Sequence, residues 1–273
     1  MIDPGDALFR LDGDVVVPTD LTRGGWSDDA QHGGPPSALA ARAIEALPTA
    51  VPMEVVRLTV DLHRVVPLTP LRVETRILRD GRRIQLAEAA IVADGVEVAT
   101  ARGLKIRVTE LDLPPSPNPP WRPPPGPAEG ELVDWRSLGH DWGPHRRFHV
   151  DAIEIRSLDD SFLRPGPGRS WLRLLVPVVA GEEPSPLVRV AALADVANGN
   201  SQTLDPTRWS YVNPDLTLHL HRPLDGEWLG MASLAHQHPS GIGLADTELF
   251  DPRGPIGRVA QSQLIAPQPR PSG

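Results

Sequence analysis

Hydrophobic and polar positions alternate along much of this chain, and two runs of small residues interrupt the alternation. In the first half, Val56, Leu58, Val60 and Leu62 fall on one face of the stretch Val55–Val66, the period-two pattern of a strand half buried in a sheet. Leu71–Arg79, Ile84–Ala93 and Val96–Val108 follow, set apart by Asp80-Gly81 and Asp94-Gly95. Aspartate-glycine pairs between alternating runs are turn signals, so these stretches predict an antiparallel meander. Shorter strands are predicted at Ala7–Leu11 and Asp14–Val17, divided by Asp12-Gly13. Ahead of the meander, Pro35-Pro36 leads into the alanine-rich run Ser37–Ala46. Proline is tolerated in a first helical turn and alanine has the highest helix propensity, so this run predicts a helix. One helix and a long meander predict an α+β layer, with the helix covering one sheet face.

The second half repeats the plan. Strands are predicted at Phe148–Arg156 and Trp171–Val178, a helix at Leu187–Ala197, and further strands at Asp215–His221, Trp228–Gln237, Gly241–Phe250 and Gly257–Ala266. Leu58-Thr59-Val60-Asp61-Leu62-His63-Arg64 recurs as Leu216-Thr217-Leu218-His219-Leu220-His221-Arg222, and alignment of the two helices sets Ala41 against Asp195. Between the halves, Leu113–Pro127 is too rich in proline for a helix or a central strand and predicts an extended spacer. The expected division is a first domain over 1–110, a linker over 111–145 and a second domain over 146–273.

Composition narrows the classes. With 40% hydrophobic and 23% charged residues the chain is core-forming. A net charge of −8 argues against general nucleic-acid binding, which needs a basic footprint. The absence of cysteine rules out disulfides and thiolate chemistry. The N-terminus lacks the basic start and apolar run of a signal peptide, and no apolar stretch nears the roughly 20 residues that span a bilayer. A cytoplasmic location is therefore expected. Lys105 is the sole lysine, so arginine carries nearly all the positive charge.

Candidate chemistry centres on Asp195. It sits among Ala192, Leu193, Ala194, Val196 and Ala197, where a carboxylate is costly unless hydrogen-bonded or kept for a purpose; the alternative is a solvent-facing position. Gln261, in the last strand, shares a face with Gln263, and both could instead line a wet face. Asn213, before Pro214, reads either as a site amide or as a turn initiator. His32-Gly33-Gly34 precedes the first helix, where glycines admit a substrate and free N–H groups hold an oxyanion, unless the pair marks only a flexible loop. His63 and His221 end matching strands and are structural in origin. His219 and His221 could share a face as metal ligands, but no third ligand is spaced to join them. Arg146, Arg147 and Arg222 are candidates for phosphate contacts or plain surface charge. The lack of a Gly-x-Ser-x-Gly elbow and of cysteine argues against a covalent serine or cysteine hydrolase.

Gly33-Gly34 before the first helix, Leu193-Ala194-Asp195 in the second, and His221-Arg222-Pro223 followed by Glu227-Trp228-Leu229 together resemble the double hotdog acyl-CoA thioesterases of the type II class. The resemblance implies two tandem hotdogs, each a helix wrapped by an antiparallel sheet, with the sheets joined in one layer. It implies a catalytic set of Asp195, Asn213 and Gln261, with Asn213 where the family carries serine or threonine. It also implies an oxyanion or substrate-binding role for His32, Gly33 and Gly34, acyl-CoA as substrate, and no cofactor or metal. Further assembly as a homo-oligomer follows by analogy. Two other readings remain: a non-catalytic acyl-CoA or lipid binder, favoured by Asn213, and a hotdog hydratase or dehydratase using His32. The first half has the glycines and Ala41, while the second has Asp195 and carries Leu187-Val188 in place of the glycines. Complementary halves predict one working site at their interface and a degenerate twin.

Overall fold

The computed structural model describes residues 2–3, 5–25, 27–137, 142–162 and 164–268. Trp26 of the glycine-rich loop and residues 138–141 of the expected linker lie outside them. The first half contains β1 (Phe9–Asp12), β2 (Val15–Pro18), α1 (Gly34–Glu45), β3 (Met53–Leu62), β4 (Leu71–Arg79), β5 (Ile84–Ala93) and β6 (Val96–Arg107). The second contains β7 (Glu131–Leu132), β8 (Ile153–Ser157), β9 (Gly168–Leu174), α2 (Pro186–Ala194), α3 (Ala197–Asn200), β10 (Trp209–Val212), β11 (Asp215–Leu220), β12 (Leu229–His238), β13 (Ile242–Asp251) and β14 (Gly254–Pro267). All strands join one antiparallel sheet in the order β1-β2-β4-β5-β6-β3-β11-β14-β13-β12-β9-β8-β7, with β10 pairing β14. Each half is thus a helix wrapped by its own part of a continuous sheet, the double hotdog.

The halves meet through the repeated segment itself. β3 and β11 pair antiparallel with Leu58 opposite Leu218, Thr59 opposite Thr217 and Val60 opposite Leu216. Thr59 and Thr217 are equivalent residues of the two copies, so a pseudo-twofold axis passes between them. Their hydroxyls lie 3.3 Å apart. Leu58, Val60, Leu216 and Leu218 are fully buried, each contributing about 1.5–3 kcal/mol of hydrophobic stabilisation. They lie beneath α1 and α2, which pack on each other, and the helix residues Ala38, Ala40, Ala41, Ala191, Ala192 and Ala194 are buried in the same core. The first half also reaches across at its start, where Phe9 N–H donates to Val178 O and Ala180 N–H to Phe9 O.

Lys105 lies under the other end of α1. It is 2% exposed and its Nζ donates to the carbonyls of Glu45 (3.2 Å) and Leu47 (2.8 Å). Those acceptors belong to the end of a helix, where carbonyls lack partners of their own.

Three expectations need correction. The strand expected over Phe148–Arg156 begins only at Ile153, because Phe148–Ala152 forms a π-helical turn. The Asp151 carboxylate accepts the Arg147 backbone N–H at 2.8 Å and closes that turn, a local bond that competes with strand. The strand expected over Trp171–Val178 stops at Leu174, since Val178 is taken by the crossing from β1. The helix expected over Leu187–Ala197 breaks at Asp195, which is the C-cap of α2 rather than a mid-helix residue. The tight Val196 N–H to Leu193 O bond turns the chain there, and α3 follows. No helix among the described residues is long and apolar enough to cross a membrane.

Candidate active site

The six residues singled out by the sequence come together where α1 begins and α2 ends. Asp195, 6% exposed, is ringed by donors from both halves. His32 Nδ1 lies 2.9 Å from Oδ2, and Asn213 Nδ2 donates to Oδ1 at 2.6 Å. Gln261 Nε2 sits 3.4 Å from both Oδ1 and the Asp195 carbonyl. The Gly33 backbone N–H adds a further bond. Burial alone would raise the Asp195 carboxyl. The nearby His32, the Asn213 amide and the Gly33 N–H reverse that and hold it below its ordinary value of 3.8.

The glycine pair is required by close approach, not by backbone conformation, since Gly33 lies in the ordinary right-handed region. A Cβ on Gly33 would stand 2.7–2.9 Å from the Asp195 carboxylate, and one on Gly34 only 2.2 Å from Ala192 O. The preceding loop is held by the second half. Arg147 donates to Gly24 O (2.5 Å) and Trp142 O (2.8 Å) and pairs with Asp28 (2.5 Å). His32 leans on the Phe148 ring, with centroids 4.9 Å apart.

Proline occupies the second and third positions of α1, so Pro35 and Pro36 bring no N–H. Gly34 N–H is left facing His32 Nδ1 at 3.2 Å. One nitrogen cannot both accept that bond and donate to Asp195. Beside an ionised carboxylate the donor form is favoured, which leaves Gly34 N–H uncommitted.

Sequence reading missed a chain of amides behind Asn213. Thr203 Oγ1 donates to Gln237 Oε1, and Gln237 Nε2 to Gln263 Oε1 at 3.0 Å. Gln263 Nε2 donates to Asn198 Oδ1 at 2.7 Å, and Asn198 Nδ2 to Asn213 Oδ1 at 3.2 Å. Every donor in the chain, the Thr203 hydroxyl and then three amide N–H groups, points toward Asp195, and such chains polarise one another. The one usable signal was Asn198, three residues after Asp195.

The twin position is filled. In the register that superposes Leu58 on Leu216, Gln261 falls on Gly103 and Asn213 on Val55. A Cβ on Gly103 would stand 2.5 Å from Ile44 Cγ2, so an isoleucine takes the space of the amide.

The remaining candidates lie elsewhere. Arg146 pairs with Asp6 at 2.9 Å and Arg222 with Asp251 at 2.5 Å, and Arg147 holds the loop. These are structural contacts rather than a phosphate cradle. His63 bonds Thr100 at 3.0 Å. Among the described residues no group of three or more His, Cys, Asp or Glu is arranged to hold a metal ion.

A family model described as the acyl-CoA thioesterase C-terminal domain matches residues 112–265, and its N-terminal counterpart matches residues 22–105. The chain belongs to the acyl-CoA thioesterase family. Among solved structures it is similar to a hot dog fold protein from Alicyclobacillus acidocaldarius (17% identity, TM-score 0.70, 96% of each chain covered). It is also similar to the tesB protein of Mycobacterium avium subs paratuberculosis (17%, TM-score 0.65, 95% of this chain and 96% of that one). A third is an acyl-CoA thioesterase II from Mycobacterium marinum (15%, TM-score 0.63, 93% and 97%). At these identities the likeness is one of fold. No curated protein matches the sequence.

Proposed function

We propose that this member of the thioesterase family hydrolyses acyl-CoA to free acid and CoA at Asp195. The observation that carries this reading is the Gln261 side chain. It is 1% exposed, its Nε2 is turned to Asp195, and its Oε1 is buried with no hydrogen-bond partner. A buried acceptor of that kind calls for a donor, and a water bridging Gln261 Oε1 and the Asp195 carboxylate supplies one. As the water oxygen bonds to the thioester carbonyl carbon, its proton passes to Asp195. A carboxylate held below 3.8 is a weak base, so it first orients the water and takes the proton late, when the attacking oxygen has become acidic. Gly34 N–H is placed to receive the developing oxyanion. Collapse breaks the carbon–sulfur bond and the proton returns from Asp195 to the thiolate. Asn213 and the amides behind it fix the carboxylate.

Purified protein with a panel of acyl-CoAs and a free-thiol readout tests this. Turnover is expected for at least one chain length, and Asp195→Asn is expected to lower kcat by about 10²–10⁴. Silence across the panel, or an unaffected Asp195→Asn, sinks the proposal. Saturable binding without thiol release would favour the non-catalytic binder suggested by Asn213. The 2.9 Å His32–Asp195 pair favours a second reading, hydration of an enoyl-CoA, with which loss of enoyl absorbance would be observed instead.

A further inference from the structure

On the sheet face turned away from α1 and α2, three basic residues stand directly abreast on neighbouring strands. Arg57 on β3 is opposite His219 on β11, and His219 is opposite Arg258 on β14. Among the described residues Arg57 and His219 have no side-chain hydrogen bond or ion pair, and the Arg57 Nε is sealed from solvent without a partner. Arg258 pairs with Asp246 at 2.5 Å and has Glu248 opposite on β13. The row lines an open groove of about 480 Å³ on this face, whose other walls include Leu104 and Ile106. That size falls within the usual range for small-molecule sites.

Two further features mark this spot. The β3 ladder carries a bulge between Val55 and Arg57, a device that re-aims side chains. The pseudo-twofold also breaks here. The counterparts of Arg57 and His219 are Asp215 and Asp61, and those two carboxylates face each other across the same strands. The basic row is therefore not an inheritance common to both copies. It is also separate from the candidate active site, since Val259 and Gln261 are buried on the helix side of β14 while Arg258 is exposed on the other.

We propose that this groove binds a small amphiphilic anion, its oxyanion head held by Arg57, His219 and Arg258 and its apolar body against Leu104 and Ile106. Guanidinium forks match carboxylate and phosphate equally, so a fatty acid and a phosphate monoester are the two sources of this chemistry. Titration calorimetry of the full chain with octanoate, octyl phosphate, octanol and inorganic phosphate separates them. At least one amphiphilic anion is expected to bind, the tighter one naming the source. Octanol and inorganic phosphate are expected to bind at least tenfold more weakly. Arg57→Gln should weaken the anion at least tenfold while acyl-CoA turnover, where present, is unchanged. Arg258→Gln, at an exposed position that does not threaten folding, should weaken it about threefold. No binding by either anion, octanol binding as tightly as octanoate, or affinities untouched by both substitutions would overturn the proposal. Inorganic phosphate binding as tightly as octyl phosphate would do the same.

Discussion

Asp195 is a carboxylate kept ionised in a buried place, and its pH behaviour follows from that. Its folded value is held below 3.8 by His32, Asn213 and the Gly33 N–H, against the pull of burial. Its contribution to stability is therefore complete above 3.8 and is lost as the pH falls through the lower folded value. In a pH–rate profile, any acid limb belonging to Asp195 lies below about pH 4. The amide chain gives a second prediction. Asn198→Ala leaves Asn213 Oδ1 and the Gln263 amide without their partners, costing about 1–3 kcal/mol. The proposed function then expects kcat to fall several-fold with little change in KM, and an unaltered kcat would show that the chain does not steer Asp195. Asp195 was legible in the sequence because a carboxylate among alanines and leucines needs a reason. Gln237 was not, being an ordinary polar residue until the strands set it beside Gln263.

Among the elements, the meander was the most readable part of the chain. Leu71–Arg79 and Ile84–Ala93 form strands with the boundaries the pattern predicts, because alternation and Asp-Gly turns are local signals. The failures lie where side chains capture backbone or reach across the fold. The helix breaks at Asp195, whose carboxylate meets His32 of the first half and Asn213 of the second, and Phe148–Ala152 turns because Asp151 captures a backbone N–H. The meeting of α1 and α2 is set by Gly34, whose absent side chain lets Ala192 O come close. Gly34→Ala would place a Cβ 2.2 Å from that carbonyl, a backbone contact that cannot swing aside. A loss of about 1–3 kcal/mol, the usual range for overpacking, is expected from chemical denaturation. A neutral result would mean that the two helices can slide apart.

For the whole molecule, the proposed function makes the duplication a division of labour. The glycine loop and His32 come from one half, and Asp195, Asn213 and Gln261 from the other. Gly103 and Ile44 close the twin. One working site per chain is therefore expected. Coexpression of an inactive Gly33→Val chain with an inactive Asp195→Asn chain should restore no thioesterase activity, whereas recovery would mean that halves exchange between chains. The buried Lys105 bears on how this molecule meets reagents rather than substrates. With its one ε-amine spent on the carbonyls that end α1, the folded surface offers amine-directed labels and crosslinkers no lysine target. Uptake of such a reagent at residue 105 would therefore report the opening of the first hotdog.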